Sequence, residues 1–120
     1  MNLTGRGVSQ KPEKKKSDPE HLSILHDLPC CICEYYGEEQ RSPTQAHHWI
    51  MGRGGSRKTP DDEAIPLCEG HHQGQFDTSK TAIHMEPELW RSQYGTDKDW
   101  TSWAQAQVAQ IIAQRLLHKL

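Results

Sequence analysis

Apolar positions along the chain are sparse and come in short groups, each bounded by proline, glycine or a charged turn. In "SDPEHLSILHD" the residues Leu22, Ile24 and Leu25 give a partly apolar face. Ser17 or Asp18 stands at the cap position, Pro19 lies in the first turn and Pro29 stops the run, so the pattern predicts a short helix. "LPCCICEYYGEE" reads as a knuckle turn leading into a loop rich in Gly and Glu, and "TQAHHWIM" as a short strand ending at Gly52. "GRGGSRKTPDDE" predicts a surface loop, and "AIPLC" a short buried strand that enters a second knuckle. "PELWRSQYG" predicts a turn or two of helix closed by Gly95. The strongest helical periodicity lies in "TDKDWTSWAQAQVAQIIAQRLLHKL", where Ala104, Val108, Ile111, Ile112 and Leu116 share one face. That face reads as a core-packing or dimer-forming stripe, and the order strand, loop, strand, helix makes the fold class α+β.

At 120 residues the length fits one domain, with little room for a large core. Residues 1–17 show no apolar periodicity and carry Arg6, Lys11, Lys14, Lys15 and Lys16 against the single acid Glu13. Such a segment cannot repay its ordering entropy, so it is expected to be a disordered basic arm. The expected organisation is this arm, a body over residues 18–97, and a C-terminal amphipathic helix over residues 98–120 packed on the body.

The net charge of −2 conceals an asymmetry, because the arm holds +4 and the remainder holds −6. A net-acidic body is no general polyanion sponge. Contacts to DNA are therefore expected from Lys14, Lys15 and Lys16 of the arm and from Arg53, Arg57 and Lys58 of the glycine-rich loop. No apolar run approaches the ~20 residues that span a bilayer, and the N-terminus lacks a signal-peptide core. The expectation is a cytoplasmic protein with no membrane partner.

In a reducing compartment, four cysteines with three in "CCIC" suit thiolate ligation better than a disulfide framework. Cys30 and Cys33 form one C-x-x-C pair. After 34 intervening residues, Cys68 and His71 form a second pair at the same spacing. Two such knuckles supply four soft or borderline ligands to one tetrahedral ion, which suits structural Zn²⁺. Cys31, inside the first knuckle, is expected to be a small core residue. A thioredoxin-like redox role for Cys30 and Cys33 is a poorer reading, since no βαβ pattern surrounds them.

The histidines add a second chemistry. If His71 closes the zinc site, its neighbour His72 points elsewhere and is free for another ion. His47 and His48 alternate faces if they lie on a strand, so they cannot share one task. One histidine on a metal, a neighbour on a water and a third from the following helix suit a metal-dependent phosphodiesterase, since neutral imidazole is both ligand and base near neutral pH. His21, His26 and His118 read as surface or satisfied core residues, and Trp49 and Ile50 as core.

"CCIC", "AHH" and "IPLCEGHH", followed by "IH" and "YG", resemble the HNH (His-Me finger, ββα-metal) endonucleases, and more narrowly the RecA-dependent recombination-enhancement nucleases of phage. The resemblance covers about residues 21–97. It implies a small zinc-stabilised ββα-metal domain with flanking helices, in which His47 and His72 are ligands of a catalytic Mg²⁺ or Mn²⁺ and His48 is the general base. His84 stands where this subfamily has a further histidine and the broader family has its last ligand nearer Phe76. The middle Asn of the motif is replaced by the acids Asp61, Asp62 and Glu63, one of which is expected to hold the base or the loop. The implied activity is a DNA endonuclease acting in recombination, on single-stranded or displacement-loop DNA with a RecA filament as partner. The competing readings are a non-catalytic zinc-ribbon or treble-clef module that binds nucleic acid or protein, and a phage recombination accessory factor acting through a protein contact.

Overall fold

The computed structural model describes residues 17–51 and 59–119. Helix α1 spans Pro19–Asp27. Asp18 caps it, accepting a hydrogen bond from the His21 amide, and Pro19 opens the first turn, where a missing N–H leaves nothing unsatisfied. The helix ends at Leu28, whose extended backbone is what the following Pro29 requires. Ile24 and Leu25 are fully buried, and His21 is a satisfied core residue whose Nε2–H donates to the Ala64 carbonyl at 3.1 Å.

"CCICEYY" departs from the expected turn: α2 spans Cys31–Tyr36, with Cys30 at its cap position. Gly37 ends it at φ 69°, in the left-handed region where glycine avoids the Cβ penalty. Strand β1 spans Thr44–His47 and β2 spans Ile65–Cys68, paired antiparallel with Thr44 opposite Cys68 and His47 opposite Ile65. β1 is half the expected length. It stops at His47 because the amides of Ile50 and Met51 turn aside to the Asp97 carboxylate, at 2.7 and 3.2 Å.

A short 3₁₀ turn at Asp61–Glu63 precedes β2, and the one-turn helix α3, Glu69–His72, follows it directly. Helix α4 spans Pro87–Tyr94, and a 3₁₀ turn at Asp97–Trp100 leads into α5, Thr101–His118. Thr96 and Asp99 form a reciprocal capping box on that turn. The core gathers Ile24, Leu25, Ile32, Ile65, Leu67, Ile83, Trp90 and the first turns of α5. Ala104 and Val108 of α5 are buried and Ile111 and Ile112 pack partly, but Leu116 is 59% exposed, so the apolar stripe runs beyond the body. The architecture is α+β, a two-stranded sheet with helices packed around it. Among the described residues no helix is long and apolar enough to cross a membrane.

Candidate metal centres

The first centre is built by the start of α2 and the β2–α3 junction. Cys30, Cys33, Cys68 and His71 are all buried, and their donor atoms lie within 4.8 Å of one another. Cys33 Sγ and Cys68 Sγ are 3.9 Å apart. Zn–S bonds of ~2.3 Å in a tetrahedron set sulfur–sulfur edges of about 3.8 Å, so the donor set fits zinc in both chemistry and spacing. Gln40 braces the centre from outside: its Oε1 accepts from the Cys30 amide at 2.8 Å and its Nε2 donates to Thr44 Oγ1 at 2.9 Å, tying the first knuckle to β1. Nδ1–H of His71 donates to the Thr81 carbonyl at 3.1 Å, which orients the ring and leaves Nε2 for an ion. Nε2 lies 3.0 Å from Glu38 Oε1, and Lys80 Nζ stands 3.3 Å from the same oxygen.

Two of these thiols, Cys30 and Cys68, are held protonated in this arrangement. The hydrogen bond with Cys33 raises Cys30 to about 11, and the hydrogen bond with Cys30, aided by burial, raises Cys68 well above the ordinary thiol range. Cys31 is fully buried and shifted upward by that burial, in keeping with a core role rather than a ligand.

The second centre lies on the other side of the β2–α3 junction. His47, His72 and His84 offer ring nitrogens that also lie within 4.8 Å of one another. Their ring centroids are 5.0 Å (His47–His72), 5.4 Å (His47–His84) and 4.9 Å (His72–His84) apart. His47 and His72 are buried and His84 is exposed, so the cluster opens to solvent on the His84 side.

His84 reaches the cluster through backbone pairing: the amides of Ile83 and His84 donate to the carbonyls of His71 and His72 at 2.9 and 3.1 Å. The chain returns there because Glu69, at the head of α3, accepts from the amides of Gln75, Phe76 and Asp77. Gly74 adopts φ 68°, and a Cβ there would run into Ala82. Phe76, near where the broader family places its last ligand, is 88% exposed, and the structure brings His84 to the cluster instead.

Each buried imidazole of the cluster has its other nitrogen held. His72 Nδ1–H donates to Gln45 Oε1 at 2.7 Å, and His47 Nε2–H donates to Asp97 Oδ2 at 2.8 Å. Fixing one nitrogen as donor leaves the opposite lone pair for a cation. Burial, reinforced by the neighbouring His47 and His84, lowers His72 to about 3, so its ring is neutral at neutral pH, the form a cation requires. His84 is lowered for the same two reasons, burial and His47. Asp97 is fully buried. Burial by itself would raise its pKa, but hydrogen bonds from His47 and the Ile50 and Met51 amides outweigh that and hold it below the usual carboxylate range.

The chain matches no protein-family model, no curated protein and no solved structure.

His48 lies just past the end of β1, so its divergence from His47 comes from the turn rather than from strand alternation. Its Nε2–H donates to Asp61 Oδ1 at 2.6 Å, and the side chain remains 24% exposed. An ionised carboxylate only accepts, so the imidazole is the donor, and in the neutral ring the lone pair then lies on Nδ1. Of the three acids Asp61, Asp62 and Glu63, it is Asp61 that meets the histidine. Glu63 Oε1 instead accepts from Trp49 Nε1 at 3.0 Å, and Trp49 is half-buried rather than a core residue.

Lys14, Lys15, Lys16, Arg53, Arg57 and Lys58, assigned to DNA contact from the sequence, lie outside the described residues, as does nearly all of the expected 1–17 arm. Asp97 was not singled out by the sequence. Its only local signal is an acid ahead of a helix, which is common for reasons of capping alone.

Proposed function

We propose that the chain is a metal-dependent endonuclease of the HNH (ββα-metal) type that hydrolyses DNA phosphodiester bonds. The observation that carries the reading is the pairing of two unlike histidine environments at one turn. His47 faces a three-histidine cluster, while its neighbour His48 is held by a carboxylate with one nitrogen open. That division matches the requirements of hydrolysis, which needs a cation ligand and a proton acceptor side by side but not in one group.

His47, His72 and His84 would hold the cation, Mg²⁺ or Mn²⁺. Bound there, it supplies Lewis-acid stabilisation of charge on the phosphorane and on the departing 3′ oxygen. His48 Nδ1 takes the proton from the attacking water, and Asp61 stabilises the imidazolium that results. Asp97 and Gln45 orient His47 and His72. The Cys30–Cys33–Cys68–His71 centre does no chemistry; its zinc ties α2 to the β2–α3 junction in a domain whose apolar core is thin.

The resemblance to phage recombination-enhancement nucleases supports a further specification, action on single-stranded or displacement-loop DNA engaged by a RecA filament. The test is cleavage of single-stranded, double-stranded and displacement-loop DNA by zinc-loaded protein with Mg²⁺ or Mn²⁺, with and without RecA. Cleavage that depends on the added metal and on His48 supports the reading. Binding of DNA without cleavage on any substrate would instead make the chain a zinc-stabilised binding module.

A further inference from the structure

Any polyanion that reaches the histidine cluster must approach a body that is net acidic. Among the described cations, Arg41 is paired with Glu39 and Lys80 with Glu38. Lys98 differs from both. It has no carboxylate partner among the described residues, and its Nζ lies 4.7 Å from the centroid of the Trp49 ring. Both ends of this contact are anchored next to the site. The Lys98 amide donates at 3.0 Å to Asp97 Oδ1, part of the same carboxylate that receives His47 Nε2. Trp49 directly follows His48, and its ring is pinned by the Nε1–H bond to Glu63.

We propose that Lys98, held over Trp49, binds a backbone phosphate of the nucleic-acid strand presented to the His47–His72–His84 cluster; this rests on the nuclease reading above. An aromatic face positions an ammonium without neutralising it, whereas a carboxylate would cancel the charge a phosphate needs. The face of the ammonium turned from the indole keeps its N–H donors for phosphate oxygens. The ligand is a phosphodiester rather than a base, because an ammonium is a point charge with no planar pattern to match a base edge. The 3₁₀ turn before α5 thereby serves the site twice, through Asp97 toward the metal ligand and through Lys98 toward the substrate.

The test uses the full-length, zinc-loaded chain carrying His48→Ala, so that the strand is bound but not cut, titrated with a fluorescently labelled single-stranded oligonucleotide across a salt series with Mn²⁺ present. Adding Lys98→Gln is expected to reduce the slope of log affinity against log salt by about 0.7, the contribution of one phosphate contact on a single strand. Lys98→Arg should keep the slope. Melting curves and zinc content establish that each exposed-site variant is folded. A Lys98→Gln variant with an unchanged slope would overturn the phosphate contact while leaving the nuclease reading in place. A His48→Ala parent that binds no oligonucleotide even at the lowest salt would overturn both.

Discussion

Asp97 and His47, fifty residues apart in the chain, meet through a 2.8 Å hydrogen bond with both side chains shut off from solvent. The same carboxylate ends β1 by drawing in the amides of Ile50 and Met51, so one buried acid sets both the orientation of a candidate metal ligand and the turn that separates His47 from His48.

Asp97→Ala should therefore be among the more damaging single substitutions in the body. It leaves the buried His47 N–H and the amides of Ile50, Met51 and Lys98 without their acceptor, a loss on the order of 3 kcal/mol by thermal or denaturant unfolding. Asp97→Asn is the gentler probe. Its amide oxygen can still accept from His47, but its NH₂ faces donors it cannot satisfy. It should fold with full zinc content and bind Mn²⁺ at the histidine cluster at least tenfold more weakly than the parent, measured by calorimetric titration.

Zinc at the cysteine centre should be needed for folding, and its uptake should release protons. Cys30, raised to about 11, and Cys68, raised further, are both thiols at neutral pH and must ionise to ligate. The apparent zinc affinity should rise by about two orders of magnitude or more for each pH unit between 6 and 8, followed by competition with a chelator. Cys68→Ser should lose zinc and yield unfolded or insoluble protein. A cooperative parental melt with full zinc occupancy would refute the assignment of this centre.

Acid should weaken the fold through His72. Its folded pKa is depressed from 6.5 to about 3, so the folded chain keeps a neutral imidazole while the unfolded chain gains a proton below pH 6.5. Stability is thus fully present above 6.5 and lost as pH falls from 6.5 toward 3. Without added divalent cation, the parent should lose melting temperature between pH 6.5 and 5.5, and His72→Gln should lose less over the same interval. Parallel curves for the two proteins would mean that His72 titrates normally.

The grouping of Cys30, Cys33, Cys68 and His71 was legible in the sequence because knuckles are local: a C-x-x-C and a C-x-x-H carry their geometry in their spacing. The histidine cluster was legible only in part. His47 and His72 stand out as members of adjacent pairs, whereas His84 reaches them through backbone pairing of residues 83 and 84 with the carbonyls of α3, a tertiary arrangement with no fixed interval. Asp97 was invisible for the same reason, since its partner lies fifty residues upstream. The overlong reading of β1 came from the apolar run "WIM", where tertiary capture of two amides overrode local strand propensity. The α5 stripe predicted the buried Ala104 and Val108 correctly, but periodicity could not tell where the body beneath the helix ends.

The central claim is that His47 serves a cation and His48 serves the water. It is tested most directly by measuring Mn²⁺ affinity and single-turnover DNA cleavage in parallel for the parent, His47→Ala and His48→Ala. His47→Ala should bind Mn²⁺ more weakly and recover part of its rate in excess Mn²⁺. His48→Ala should bind Mn²⁺ as the parent does and cleave slower by on the order of a hundredfold or more, with no rescue by metal. Exchange of the two phenotypes would reverse the assignments, and cleavage by both variants at the parental rate, with parental metal affinity, would contradict the account.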